Sequence, residues 1–166
     1  HPTPNVTDPA DQAVCNGTTV VATNFTGSVA GTVYNWTNNN ATIGLPTSGT
    51  GNIAAFTGTN ASASAAQTAT VTVTPSANGC IGADQSFTIR VNPTPTMNAV
   101  SSSAVCANTS VPAKLFTGGS LSNVYTWVNS NTAIGTVASG TGNIGAYTGT
   151  NTGLSAISGT FTVTPN

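Results

Sequence analysis

The chain has 166 residues, of which 3% are charged: Asp8, Asp11, Asp84, Arg90 and Lys114, with no Glu at all, where an average soluble protein has about a quarter. Two basic residues cannot neutralise a row of phosphates or hold an anionic membrane, so nucleic acid and polybasic-lipid partners are not expected. No apolar run reaches the roughly 18 residues that a spanning helix needs, so no membrane insertion is expected.

The first residues, His1-Pro2-Thr3-Pro4, carry neither a basic n-region nor an apolar h-region, and any secretory signal is expected to have been removed or to lie upstream. Low net charge and abundant Val and Thr argue against disorder. Gly, Pro, Asn, Thr and Ser interrupt the chain about every ten residues, which leaves room for strands and none for long helices. The expected fold class is all-β.

In chain order, strands are predicted near Ala13 to Cys15, Thr19 to Thr23, Thr32 to Thr37, Ile53 to Thr57, Ala69 to Thr74 and Ser86 to Val91. In Thr32-Val33-Tyr34-Asn35-Trp36-Thr37 the two aromatics point to one face, as in a core strand. Ala69, Val71 and Val73 alternate with threonines, and Phe87, Ile89 and Val91 alternate with Ser86, Thr88 and Arg90, the pattern of half-buried antiparallel strands. Asn38 to Asn40, Pro46 to Asn52 and Pro75 to Gly79 supply turn chemistry, with Gly and Asn available for positive φ. Asn92-Pro93-Thr94-Pro95 is predicted to be a short, stiff connector.

The chain then repeats. Residues 91 apart match Pro2-Thr3-Pro4 with Pro93-Thr94-Pro95, Cys15 with Cys106, Phe25 with Phe116, Tyr34 and Trp36 with Tyr125 and Trp127, and Ser48 to Ile53 with Ser139 to Ile144. About half of the first sixty positions are identical. Two tandem β-sandwich domains are predicted, 1–91 and 92–166, joined at 92–95. Repeat two stops at Asn166, where repeat one continues into Gly79-Cys80 and the strand ending at Val91, so the second domain is expected to lack its last strand and to expose an apolar groove beside Phe161 and Val163.

Three cysteines pair most simply as a structural disulfide, Cys15 to Cys80, leaving Cys106 unpaired or bonded to another chain. Such a bridge would contribute about 4 kcal/mol in the chain-entropy model and would imply an oxidising compartment. Tyr34, Trp36, Tyr125 and Trp127 are expected to be core aromatics, with Trp36 buried near the disulfide.

Candidates for chemistry are few. His1 is the sole histidine and has no counterpart in repeat two, which also has no Asp or Glu, so neither nucleophilic nor paired-carboxylate catalysis is expected. Asp8 and Asp11 correspond to Ala99 and Ser102 and read as solvated loop residues rather than calcium ligands. Cys15 and Cys80 have no histidine between them and do not form a zinc pattern. Lys114 has no acid in its repeat to drive an isopeptide crosslink. No cofactor or metal is expected. Asn-x-Ser/Thr triplets at Asn5, Asn16, Asn35 and Asn60 are what an Asn- and Thr-rich chain produces by chance.

The stretches Val14-Cys15-Asn16-Gly17, Val33 to Asn40, Ser48 to Ile53, Thr70 to Pro75 with Asn78-Gly79-Cys80, and Phe87 to Pro95 resemble the PKD-like repeats of large Bacteroidota surface proteins. The resemblance spans both repeats. It implies immunoglobulin-like sandwiches strung along exported adhesins and gliding-associated proteins, often carried by the type IX pathway, with no catalytic residues. The expected function is a structural segment of an extracellular bacterial fibre, filament or adhesin stalk at the cell surface, with copies of itself or further repeats as partners. The alternative is a carbohydrate-binding module that meets surface glycans through exposed aromatics.

Overall fold

The computed structural model describes residues 1–119 and 124–166 and divides into two compact units, His1–Thr94 and Pro95–Asn166. Asn123, at the head of the second aromatic stretch, lies outside the described residues.

Unit 1 contains β1 (Gln12–Cys15), β2 (Thr19–Val20), β3 (Val33–Asn38), β4 (Ser48–Thr50), β5 (Phe56–Thr57), β6 (Gln67–Ala77), β7 (Cys80–Ile81) and β8 (Gln85–Asn92). The larger sheet has the order β1-β8-β6-β3-β4, with β7 on β6, and β2 pairs with β5 in a second sheet. All pairs are antiparallel except β1 with β8. The fold is all-β, with the larger sheet and the two-stranded sheet sharing one core as a β-sandwich.

Its core follows from the two-residue alternation of β6 and β8. Ala69, Val71 and Val73 are fully buried, as are Ile89 and Val91, with Phe87 close behind at 2% exposure. They pack with Val20, Phe25, Trp36, Ile43, Leu45 and Ile53. Burying each large side chain of this kind stabilises by about 1.5–3 kcal/mol.

Two elements differ from the sequence reading for local reasons. β6 runs through Pro75 to Ala77, because Asn78 and Gly79 both take positive φ (51° and 79°) and close a two-residue hairpin onto Cys80. Ser48–Thr50, expected as turn, is a strand on the edge of β3. Gly49 there lies directly under the Trp36 ring, and a Cβ at that position would strike it. The expected strands at Thr19–Thr23 and Ile53–Thr57 shrink to β2 and β5, with a single bridge between Thr23 and Ile53.

Unit 2 repeats the plan with β9 (Ser110–Val111), β10 (Tyr125–Asn129), β11 (Ser139–Thr141), β12 (Tyr147–Thr148) and β13 (Phe161–Pro165). The sheets are β11-β10-β13 and β12-β9. Phe116, Tyr125, Trp127 and Ile144 form the buried core, with Met97, Tyr147, Phe161 and Val163 partly buried against it. Residues 103–106, the counterpart of β1, form no strand. Among the described residues, β13 pairs with β10 alone.

Candidate functional site

The expected Cys15–Cys80 bridge is overturned: both thiols are free. Cys15 lies opposite Asn92, at the end of β8 where Val91 meets Gln67. Cys80 lies opposite Ala77. From Gln67 to Ala77 the chain runs the whole length of β6, about 30 Å at the rise of a strand, whereas a disulfide needs Cα atoms within about 7 Å. The two cysteines therefore sit at opposite ends of the sheet, and the inference of an oxidising compartment loses its support. Cys106 is also free, in an exposed turn whose carbonyl accepts both the amide and the hydroxyl of Thr109, as that of Cys15 does from Thr18.

The aromatics occupy the interior. Trp36, Tyr125 and Trp127 are buried, and Tyr34 is half-buried against the core with its ring 5.7 Å from that of Phe25. Trp36 packs on Gly49, in place of the expected disulfide, and Trp127 packs on Gly140 in the same way. Both indole N–H groups are buried without a protein partner. Phe25, Phe87 and Phe116 are buried and Phe56, Tyr147 and Phe161 half-buried, so none of the ten aromatics is an exposed platform.

The ionisable groups are dispersed, and among the described residues no three of His, Cys, Asp or Glu gather where a metal ion could be held. Asp11 accepts the Thr88 amide at 2.6 Å and Asp84 the Thr74 hydroxyl at 2.7 Å, so each serves a strand. Asp8 and His1 are exposed. Lys114 donates to the Ser101 carbonyl and the Ser103 hydroxyl, both at 2.7 Å. No helix among the described residues is long and apolar enough to cross a membrane.

Sequence reasoning read Asn38 as turn chemistry and Asn60 as a chance glycosylation triplet and did not single out Asn129, yet all three are buried. Asn38 donates to the carbonyls of Asn40, Leu45 and Pro46, and its own oxygen accepts the Asn40 amide. Asn129 does the same with Asn131 and Val137. Asn60 ties the end of β8 in place through Val91 O at 2.8 Å. That bond also occupies the amide of the triplet at Asn60, the one buried member of the four. The legible signal was recurrence at the same offset as the aromatics.

A concave feature lies among the described residues of unit 2. A groove of about 870 Å³ runs between residues 100–107 and β13, floored by Val111, Phe116, Ile144 and Tyr147 and rimmed by Val105, Ile157, Phe161 and Val163. Burial raises the Tyr147 hydroxyl above its ordinary pKa. The groove coincides with the apolar edge expected from the sequence, and its chemistry suits an apolar, extended occupant.

No protein-family model matches the chain. No curated protein matches it. Among solved structures the chain is similar to immunoglobulin domains 1–4 of Sidekick-1, at 14% identity and a TM-score of 0.47, over 98% of this chain and 48% of that one. The chain thus spans about half the length of that structure.

Proposed function

We propose that the chain is a structural repeat segment of an extracellular bacterial surface fibre, filament or adhesin stalk, in line with its resemblance to the PKD-like repeats of Bacteroidota surface proteins. The observation that carries this reading is the use of the aromatics: all ten are at least half-buried in the two cores. A sugar-binding module of this size would hold a Trp or Tyr face toward solvent, and both Trp rings here lie against glycines inside the sheet. Dispersed ionisable groups and tandem units built on one plan also fit a role in spacing or presenting something else.

In this reading the partners are copies of the chain or further repeats of its kind, and Cys106, exposed in its turn, is the thiol through which a covalent link to another chain would form. The extracellular placement rests on the resemblance, since the disulfide no longer speaks for it. A glycan array probed with the 166-residue chain tests the function, with no defined sugar expected to bind. Micromolar, saturable binding that disappears on replacing Tyr34 or Tyr147 would overturn the proposal in favour of a carbohydrate-binding module.

A further inference from the structure

Asparagine precedes glycine twice in the chain, at Asn16-Gly17 and at Asn78-Gly79. The pair carries chemistry of its own, because the side-chain amide carbon can close a five-membered ring on the next backbone nitrogen, and glycine has no Cβ to obstruct the approach. Space does not distinguish the two copies: a Cβ at Gly17 or at Gly79 would meet nothing within 4 Å. Hydrogen bonding does.

Asn16 is half-buried and held at both ends of its amide. Its oxygen accepts the Asn60 amide at 2.8 Å, its nitrogen donates to the Thr94 hydroxyl at 3.2 Å, and Gly17 N donates to Gly58 O at 2.9 Å. Asn78 and Gly79 are instead exposed at the tip of the β6–β7 hairpin, both at positive φ. The ladder there joins Ala77 to Cys80 and Ser76 to Ile81, so it passes the tip by. Neither the Asn78 side chain nor the Gly79 N–H has a hydrogen-bond partner in the protein.

We propose that Asn78 is a site of spontaneous covalent modification, a deamidation through a cyclic imide that the fold permits here and suppresses at Asn16. The Gly79 N–H gives its proton to solvent hydroxide and the nitrogen attacks Cγ of Asn78. The N–Cγ bond forms, the Cγ–Nδ2 bond breaks, and the nitrogen that leaves takes a proton from water and departs as ammonia. Water then opens the imide. Hydrolysis of the N–Cγ bond leaves an aspartyl residue, whereas hydrolysis at the main-chain carbonyl leaves an isoaspartyl residue, whose backbone runs through Cγ. Either product adds a carboxylate to a chain with three acidic side chains.

The two products act differently on the hairpin. An aspartyl residue accepts the same two-residue turn as asparagine. An isoaspartyl residue lengthens the backbone by one carbon, for which a two-residue turn has no slack, and β7 loosens from the end of β6. The loosened segment includes Gly82, whose N–H donates to Pro75 O at 2.9 Å and which lies so close to the Pro4 carbonyl that a Cβ there would strike it. The site lies in unit 1 and does not depend on the fibre reading.

The test incubates the full, folded chain in mildly alkaline buffer made with water enriched in heavy oxygen, so that every conversion during incubation carries solvent oxygen. Digestion in acid and mass mapping then locate the label, and electron-based fragmentation separates isoaspartyl from aspartyl product. Conversion at Asn78 is expected to be at least about tenfold faster than at Asn16, because each hydrogen bond that must open there slows the attack several-fold. In guanidinium the two rates should converge. In the isoaspartyl product, hydrogen exchange at residues 80–82 should speed up while the core of β3, β6 and β8 stays protected. Equal rates at the two sites in the folded chain, faster conversion at Asn16, or no conversion at Asn78 over a time in which the unfolded chain converts would overturn the proposal. An isoaspartyl product with unchanged exchange at residues 80–82 would overturn the loosening of β7.

Discussion

Val73 and Val163 are the same position in two repeats, each opposite its tryptophan, Trp36 or Trp127, across a strand pair. Val73 has no solvent exposure, whereas Val163 is half-buried at the rim of the groove. Truncation to Ala removes two methyl groups from each, a transfer term of about 1.6 kcal/mol when they are fully buried. In the closed core of unit 1 a cavity term adds to this, giving about 2–3 kcal/mol in all for Val73→Ala. In the open groove of unit 2 solvent fills the space, no cavity forms, and about half the transfer term remains, roughly 0.8 kcal/mol for Val163→Ala. Urea unfolding read peptide by peptide, through pulse hydrogen exchange and mass spectrometry, measures each unit separately and avoids treating the chain as one two-state system. If Val163→Ala costs as much as Val73→Ala, the groove is closed in solution and the account of unit 2 as an open-edged sandwich is wrong.

Two further outcomes follow from single side chains. Asn129→Ala strips the partners from the Val137 carbonyl and the Asn131 amide, and should destabilise unit 2 by about 1–3 kcal/mol in the same urea experiment. Tyr147 has a raised pKa because burial disfavours its phenolate; its contribution to stability is complete below the unfolded value near 10 and is lost as pH rises through the folded value. Unit 2 should therefore weaken in alkali above about pH 10, and Tyr147→Phe should remove that part of the pH dependence, leaving unit 1, where Phe56 holds the place, as the internal control.

The strands that were legible in sequence are those whose side chains alternate over a long run. β6 and β8 announce themselves because Val-Thr alternation has one reading, a sheet with one wet and one dry face. β4 was hidden because Ser-Gly-Thr has no apolar period. Its central glycine is there for the Trp36 ring, a contact that exists only once β3 lies beside it. The open groove was legible for a different reason. Aligning the repeats shows which strand has no counterpart, and the face it leaves uncovered follows from register.

The disulfide failed because cysteine arithmetic counts thiols and loop lengths and carries no information about which end of a strand a residue occupies. Cys15 and Cys80 both flank core strands, and that is compatible with adjacency or with the full length of β6 between them.

With that bridge gone and charges almost absent, what fixes the loops is amide chemistry. Asn40 caps the short helical turn at Ala41–Ile43 through the Thr42 amide and reaches Thr68 O with its other end, and Asn131 does so through Ala133 and Ser158. Asn52 accepts the Phe25 amide, and Asn143 that of Phe116, each at 2.8 Å. A neutral amide satisfies a buried carbonyl and a buried N–H at once, without the desolvation cost of an ion. A strand face free of charge is also one that another strand can approach without like-charge repulsion, and β13, which carries Thr162 and Thr164 and is preceded by Thr160, has that character. The composition that makes the chain silent about catalysis is thus the same one that leaves β13 without charges to oppose a neighbouring strand.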